Sequence, residues 1–430
     1  MAVTGRLALI AAIGAVAVAG TTSWTTFWAF NGLLVILVLV DLVLAASPSH
    51  VELRRTGDTV TRLDDDATVR LSLTNNSKRR LHGTLRDAWP PSAGVANPRH
   101  DLDIPAGERR FVSTVLRPTR RGQRRAERVT MRAVGPLGLA GRQTSVRAPW
   151  QVDVLPPFRS RKYLPSRLAR LRDLDGRTAV LQRGQGTEFD SLREYVIGDD
   201  VRSIDWRASA RADDVMVRTW RPERDRHVVL VIDAGRTSAG RVGDEPRLDA
   251  QMEAALLLAV LASRAGDRVE LLVWDRGIRG SVQGESGGAL LAAMTRVLAP
   301  IEASLVETDW RGVVTEVLRR VRQRSLVVLL SALEPAAVEE GLLPVLRQLT
   351  SRHLVVLAAA SDPAVTAMAV QRRDANGVYA AAAAEQTLSE RRRVEALLRR
   401  SGAEVVDAAP DQLAPALADT YLAFKAAGRL

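Results

Sequence analysis

The chain contains no cysteine. That excludes disulfides, thiolate metal ligands and cysteine nucleophiles, and it leaves the redox compartment open. Aromatic residues make up 4% of a sequence that is 46% hydrophobic, so its cores must be built mainly from Val, Leu and Ala. Lysine is nearly absent. Only Lys78, Lys162 and Lys425 occur, and arginines carry the formal charge of +12. A charge of that size raises nucleic acid as a partner through counterion release. The basic stretches Arg117–Arg132 and Arg159–Arg172, however, offer no series of aromatics for base stacking. Solvated arginine faces, as a genome rich in G and C encodes, account for the charge, and anionic phospholipid is a nearer partner than nucleic acid. His50, His82, His100, His227 and His353 show no metal-ligand spacing.

At 430 residues the chain exceeds one ordinary domain. Leu7–Gly20 is an unbroken apolar run, and Phe27–Ala46 contains the aliphatic stretch Leu33–Val40. The second is long enough to span a bilayer, and the first becomes so if Thr21–Ser23 are counted. A turn holding Trp24 and lacking Lys or Arg joins them, while Arg6, Arg54 and Arg55 flank the pair. The positive-inside bias then predicts a multi-pass anchor over residues 7–46 with both the N-terminus and the later domains in the cytoplasm. A cleaved signal peptide ending near Ala15–Ala19 is the competing reading. Asp41, inside the second helix, is expected to snorkel, pair with the first helix, or meet a partner helix.

After a transmembrane hairpin over residues 1–50, residues 51–158 alternate short strand patterns with turn signals. Ala67–Asn75, Arg109–Pro118, Arg128–Val134 and Trp150–Pro156 are the clearest strands, which predicts an antiparallel β-sandwich. Residues 159–225 read as a linker, with a basic amphipathic piece at Ser166–Leu174, and a charged segment. From 226 to 430, apolar runs at Val228–Asp233, Val269–Trp274, Leu326–Leu330, Leu354–Ala360 and Ala403–Val406 alternate with helical patterns, one of them behind Thr308 and Asp309 as cap candidates. That predicts a doubly wound α/β domain.

The densest block is Gly184–Arg211. Here Glu188, Glu194, Asp199, Asp200 and Asp205 interleave with Arg193, Arg202, Arg207 and Arg211, and Phe189, Leu192, Tyr195, Ile204 and Trp206 supply apolar groups. Arginines beside the carboxylates should depress their pKa values, which suits ion pairing rather than proton transfer. The block is therefore either an intramolecular clamp or a docking face, and Glu188, Phe189, Arg193, Glu194, Tyr195, Asp199, Asp200, Arg202, Asp205 and Trp206 are the candidate protein-binding residues.

The run Gly186, Phe189, Leu192, Arg193, Glu194, Tyr195, Gly198, Asp199, Asp200, Arg202, Ile204, Asp205 and Trp206 resembles the domain-of-unknown-function family fifty-eight. The resemblance implies a von Willebrand factor A-like domain after the block and association with MoxR-type AAA+ ATPases. A metal-binding domain of that type carries D-x-S-x-S after its first strand. This chain has Asp233 and Thr237, but Gly235 replaces a hydroxyl, Ser331-Ala332 stands where an acid is expected, and Arg236 adds a cation. A degenerate magnesium site is the resulting expectation, with no resident cofactor.

Three further patterns are weaker. Gly235–Gly240 has phosphate-loop glycine spacing, but Arg241-Val242 replace the required Lys and Ser/Thr. Gly284–Gly288 matches G-x-S-x-G around Ser286, although a hydrolase would need a histidine that the chain does not supply after its last strand. The carboxylates of the charged block are the third, and ion pairing disposes of them as an acid/base pair. The reading that results is a protein-interaction adaptor with no catalytic residues. A serine hydrolase using Ser286, or an arginine-mediated binder of anionic lipid or nucleic acid, is the alternative.

Overall fold

The computed structural model describes residues 2–21, 23–181, 188–197, 199–212, 214–221, 226–243 and 245–430, with backbone alone at 2, 175–181, 188–191 and 219–221. The chain divides into two compact units, Met1–Pro156 and Pro157–Leu430.

The first unit opens with β1 (Ala2–Val3), α1 (Gly5–Thr21) and α2 (Trp24–Leu44). Both helices are apolar around their circumference rather than along one stripe, so neither has a water-facing side. Among the described residues α2 is the one helix long and apolar enough to cross a membrane; α1, at 17 residues, is shorter. They touch at buried Gly14, where a Cβ would collide with the Phe30 ring.

Eight strands follow: β2 (Val51–Gly57), β3 (Val60–Arg62), β4 (Ala67–Asn75), β5 (Leu81–Asp87), β6 (Arg99–Ile104), β7 (Arg109–Leu116), β8 (Gly122–Val134) and β9 (Ala140–Leu155), joining β1 in two sheets. One sheet has the order β1-β9-β8-β5-β6, with β3 also on β9; the other is β2-β4-β7. Burial alternates residue by residue along β4 and β5, the period of a strand with one buried face. Leu71 and Leu73 of β4 thereby meet Leu85, Val129 and Met131 of the larger sheet in one core. Strands β8 and β9 extend well beyond Arg128–Val134 and Trp150–Pro156. Outward-facing arginines hide the apolar alternation over their outer halves.

Asp41 neither snorkels nor pairs with α1; its acceptor positions are taken by the chain's own backbone. Its buried carboxylate accepts the backbone N–H groups of Leu137 (2.7 Å), Leu139 (2.7 Å) and Ala140 (2.8 Å) in the loop between β8 and β9. The same loop receives Thr4, whose hydroxyl donates to Gly138 O at 2.6 Å. Arg142 Nε donates to Leu42 O at 3.2 Å. A loop whose backbone donors would otherwise go unpaired thus holds the end of α2.

The second unit begins with α3 (Leu164–Leu181). It is longer than the Ser166–Leu174 piece expected, and it is no loose linker. Leu171 is buried in the main core, and Arg167 Nη2 donates to Asp419 at 2.9 Å. A small module comes next: β10 (Glu188–Glu194), α4 (Trp206–Ala212) and β11 (Met216–Arg221). Then come β12 (His227–Asp233), the two-residue strands β13 (Arg241–Val242) and β14 (Glu245–Pro246), α5 (Arg247–Arg264), β15 (Arg268–Trp274), β16 (Ile278–Val282), α6 (Gly287–Leu298), α7 (Trp310–Arg320), β17 (Leu326–Leu330), α8 (Leu343–Thr350), β18 (Leu354–Ala360), α9 (Pro363–Val370), α10 (Ala375–Arg400), β19 (Ala403–Ala408) and α11 (Pro410–Ala426).

The sheet order is β16-β15-β12-β17-β18-β19, all parallel except the edge strand β16. Along β12, Val228, Leu230 and Ile232 enter one core with α5 and α11, while Val229 and Val231 enter the other with α7 and α8. Each of these side chains contributes about 1.5–3 kcal/mol relative to exposure. Both faces of the sheet are therefore covered, and the strand reads as a continuous apolar run. Between β17 and β18 a wide π turn at Ala337–Leu342 leads into α8. Pro344 in the first turn of α8 lacks the N–H that an uninterrupted α-helix needs there.

Candidate functional site

β12 lies at the point where the sheet order reverses, with β15 on one side and the later β17 on the other. The carboxyl end of such a strand opens a crevice between diverging connections, the place where α/β sheets bind ligands. Asp233 closes β12 there and is 1% exposed. Its Oδ1 accepts from Gly235 N at 2.8 Å and Thr308 Oγ1 at 2.5 Å; its Oδ2 accepts from Thr237 Oγ1 at 2.8 Å and Ser331 Oγ at 2.5 Å. Four donors satisfy one buried carboxylate, as an interior charge requires.

Sequence alone points to Asp233 and Thr237; it notes Ser331 only as standing where an acid is expected, and it offers Thr308 as a helix cap. Asp309 makes that cap, accepting Gly312 N at 3.0 Å. Thr308 is freed to reach Asp233. The crowding explains Gly235 as well: a Cβ there would collide with Thr308 Oγ1 and lie 2.9 Å from Val306 O. Arg236, expected beside the site as a cation, instead turns to Glu307 (2.6 Å) and Glu334 (3.6 Å), and the hydrogen bond from Arg236 to Glu307 raises the guanidinium pKa above the usual arginine value. As a magnesium site the residues fit poorly. They offer one carboxylate, whose acceptor positions are taken by the very hydroxyls that would be the other ligands. Among the described residues no group of three or more His, Asp or Glu is arranged to hold a metal ion.

The charged module is built on β10 paired antiparallel with β11, Arg193 opposite Val217 and Glu194 opposite Met216. Arg193 Nη2 donates to Asp199 Oδ1 at 2.5 Å, and Val196 N to Asp199 Oδ2 at 3.0 Å. These bonds, Arg193 first, hold the Asp199 carboxyl below its ordinary pKa. Asp205 caps α4, accepting Arg207 N and Ala208 N at 3.0 Å each, and takes Arg218 Nε at 2.8 Å; the Ala208 N–H, then Arg218, lowers its pKa. Asp200 caps the turn at Val201–Ser203 through Arg202 N at 3.0 Å, and Tyr195 N donates to Val215 O at 2.7 Å.

Asp199 and Asp205 therefore frame the module, and large apolar side chains stand exposed on it among the remaining charges. Ile197 is 96% exposed and Trp206 71%, with Val196 and Val201 also exposed. Glu194 and Arg202 are exposed too. The side chains of Glu188 and Phe189, and residues Gly186 and Gly198, lie outside the described residues. Among the described residues, none of the hydrogen bonds that hold the module reaches Asp233 or Thr237. Arg218 and Ile197 are not legible in the sequence, because pairing through β11 brings in a residue beyond the motif, and an exposed isoleucine carries no sequence signature.

Ser286 is exposed, in ordinary extended conformation (φ −141°, ψ 162°) ahead of α6. It follows β16, which runs antiparallel, so it lies at the amino edge of the parallel strands. That is the opposite edge from the carboxyl ends where such sheets bind ligands and where Asp233 sits.

The architecture is thus an α/β unit preceded by an ion-paired module at the entrance to its first central strand. Residues 191–398 match the family described as Protein of unknown function DUF58. Uncharacterised proteins of Mycobacterium bovis and Mycobacterium tuberculosis are 27% identical over 150 residues, covering 34% of this chain and 47% of theirs. The chain thus spans about half the length of the curated relatives it matches. Solved structures are only distantly similar. A CARDB domain from Pyrococcus furiosus shares 14% identity over 24% of this chain and 87% of its own, with a TM-score of 0.19. A GH20 exo β-N-acetylglucosaminidase from Vibrio harveyi shares 11% over 83% and 75%, with a TM-score of 0.21.

Proposed function

We propose that this chain is a membrane-anchored protein-interaction adaptor, without catalytic activity, that faces the cytoplasm and serves a MoxR-type AAA+ ATPase in assembling or remodelling a complex. In this reading the first unit is a transmembrane hairpin carrying a β-sandwich spacer, and the second is a doubly wound, von Willebrand A-like domain. The observation that carries the docking role is the charged module. Asp199 and Asp205 are held in internal pairs with Arg193 and Arg218, while Ile197 and Trp206 stand exposed on that fixed frame. A large aromatic on a rigid support is what interface hot spots use.

The anchor reading is supported by one loop. Thr4 before α1 and Asp41 near the end of α2 both bind residues 137–140, which brings the outer ends of the two helices to the same place, as a hairpin requires. Arg6, Arg79 and Arg142 cluster at that end, the side that the positive-inside bias assigns to the cytoplasm. For Asp233 we propose a hydrogen-bonded strut in place of a metal centre.

The test uses the full-length protein. Trp206→Ala and Ile197→Ser should shift stability by no more than ~0.5 kcal/mol, as exposed substitutions do, and should abolish co-purification of the ATPase from crosslinked membranes. Unfolding of both variants would instead favour a purely structural module. Absence of any AAA+ ATPase alongside the unmodified protein would remove the adaptor reading. Protease protection of residue 160 and the C-terminus in spheroplasts checks the orientation; external cleavage at either point overturns it.

A further inference from the structure

The β unit carries a second surface, independent of the charged module. On the outward face of its larger sheet, four adjacent strands place arginines side by side. Arg99 of β6 is directly opposite Arg86 of β5, and Arg128 of β8 is directly opposite Arg147 of β9. Arg86 faces Thr130, the next outward residue after Arg128 on β8, which joins the two pairs into one band; Arg132 follows one step on. All five are exposed. Among the described residues, no acidic side chain pairs with Arg86, Arg99, Arg128 or Arg147. Like charges directly opposite on neighbouring strands are destabilising, and here two such pairs adjoin.

The band borders a cleft of about 610 Å³ lined by Trp89, Val95 and Pro98 together with Arg86, Arg128 and one exposed carboxylate, Glu127. The Trp89 ring is fixed in place. Its Nε1 donates to Asp87 at 2.9 Å, Asp87 is buried in an ion pair with Arg55, and the Arg55 guanidinium lies 5.5 Å from the ring centroid. Burial lowers the pKa of Arg55 against the opposing pull of Asp87. A rigid indole beside a row of cations that lack ion-pair partners is a preorganised surface for a ligand with both apolar and anionic groups.

We propose that this face binds an extended acidic peptide segment of a partner protein, with carboxylates on alternate residues and one apolar side chain in the Trp89 cleft. The spacing supports a peptide. Strands lie ~4.8 Å apart and the Arg128–Arg147 pair is offset by two residues, ~6.7 Å, from the Arg86–Arg99 pair, so the four arginines span about 16 Å; alternate side chains of an extended chain recur every ~6.7 Å, and three carboxylates cover about 13 Å of it. Lipid headgroups suit the face less well. Arg128 is seven residues along β8 from Gly135, about 23 Å from the loop that holds the end of α2 and several times the ~8 Å screening length. Nucleic acid would need a series of stacking rings, and the cleft supplies Trp89 alone.

Fluorescence anisotropy on the full-length protein in detergent tests this with a short fluorescein-labelled peptide that alternates Glu and Ser around one central Leu. Binding should weaken as salt rises. Arg86→Gln with Arg128→Gln should reduce affinity at least about tenfold, equivalent to ~1.4 kcal/mol, with melting temperature unchanged or raised as like-charge repulsion is relieved. Arg392→Gln with Arg400→Gln removes the same charge from the other unit and should leave binding unchanged. The Ser-for-Leu peptide should bind more weakly. Equal loss in both double variants would reduce the effect to net charge and overturn the proposal. So would tighter binding of a thymidine oligonucleotide or of phosphatidylglycerol vesicles that depends on Arg86 and Arg128, since the face would then select phosphate.

Discussion

Replacing Gly235 by serine restores the hydroxyl that a metal-binding version of the Asp233 loop would carry, and the structure predicts that the change harms the protein without creating a site. The new Cβ would collide with Thr308 Oγ1 and lie 2.9 Å from Val306 O and 3.0 Å from Asp233 Oδ1. Thr308 can rotate away, but only by giving up its bond to the buried carboxylate, an interaction with a charged group worth ~1.5–3 kcal/mol. Val306 O cannot withdraw freely, because it accepts Arg236 N at 2.8 Å. Overpacking of this kind destabilises by about 1–3 kcal/mol, and at ~2–4 °C per kcal/mol for a unit of this size the melting temperature should fall by roughly 2–12 °C. Gly235→Ala should fall nearly as far, since the Cβ and not the hydroxyl makes the clash. Scanning calorimetry with and without Mg²⁺ or Mn²⁺ reads both points. A metal present at about a hundred times its dissociation constant would add ~2.7 kcal/mol, so a bound ion would be plain in the melt. If the serine variant melts at or above the unmodified protein, the crowding argument is wrong. If Mg²⁺ stabilises the unmodified protein and Asp233→Ala abolishes the effect, the strut reading is wrong.

His353 is 4% exposed with neither ring nitrogen hydrogen-bonded, and burial first, then Arg352 and His227, holds its pKa below 6.5. The folded state therefore binds this proton less readily than the unfolded chain, so its stability should be full above pH ~6.5 and decline as pH falls below it; urea midpoints at several pH values should show a shallower decline in His353→Leu, and an identical slope would refute this. Glu316 is held at about 2, chiefly by Arg319 and then Arg320 against the opposing effect of burial. Its contribution should be intact above pH ~4.5 and lost between there and pH ~2, and Glu316→Gln should remove that part of the acid titration, with an unaltered acid limb counting against the pairing. Asp41→Ala leaves three loop N–H groups without their acceptor, each worth ~1–3 kcal/mol if buried; faster proteolysis within residues 135–140 of the detergent-solubilised protein is the expected result, and an unchanged digestion pattern would show that the loop holds without Asp41.

What is legible in the sequence follows from where each element takes its instructions. The parallel strands of the second unit are buried on both faces, so Val228–Asp233 and Leu354–Ala360 announce themselves as apolar runs whatever surrounds them. The strands of the first unit are one-sided, and those with a cationic outer face are shortened or hidden: β5 and β6 alternate correctly, but His82, Arg86, Arg99 and Asp101 dilute the signal. Helix α3 reads as a linker because only Leu168, Leu171 and their neighbours face the core, while arginines occupy the other side. At the carboxyl end of β12, the residues near Asp233 in sequence are directly recognisable. Thr308 is 75 positions away, and its polar side chain has a nearer and equally sound use as a helix cap.

The same logic separates frame from contact in the charged module. An acid between arginines can brace a turn or greet a partner, and sequence alone weights the two alike. Geometry divides them residue by residue: Asp199 and Asp205 each accept two or more bonds from their own hairpin, so removing either disrupts the support of its neighbours. Trp206 begins the very helix that Asp205 caps, yet it projects into solvent at 71% exposure. A residue held in position by a satisfied cap while its own apolar surface remains uncovered stabilises nothing by burial in the isolated chain. Under the proposed docking role its contribution comes on association, where covering an indole and the neighbouring Ile197 would remove apolar area from water at ~25 cal/mol per Å². The module's carboxylates and its tryptophan should therefore separate experimentally, the former through melting temperature and the latter through binding.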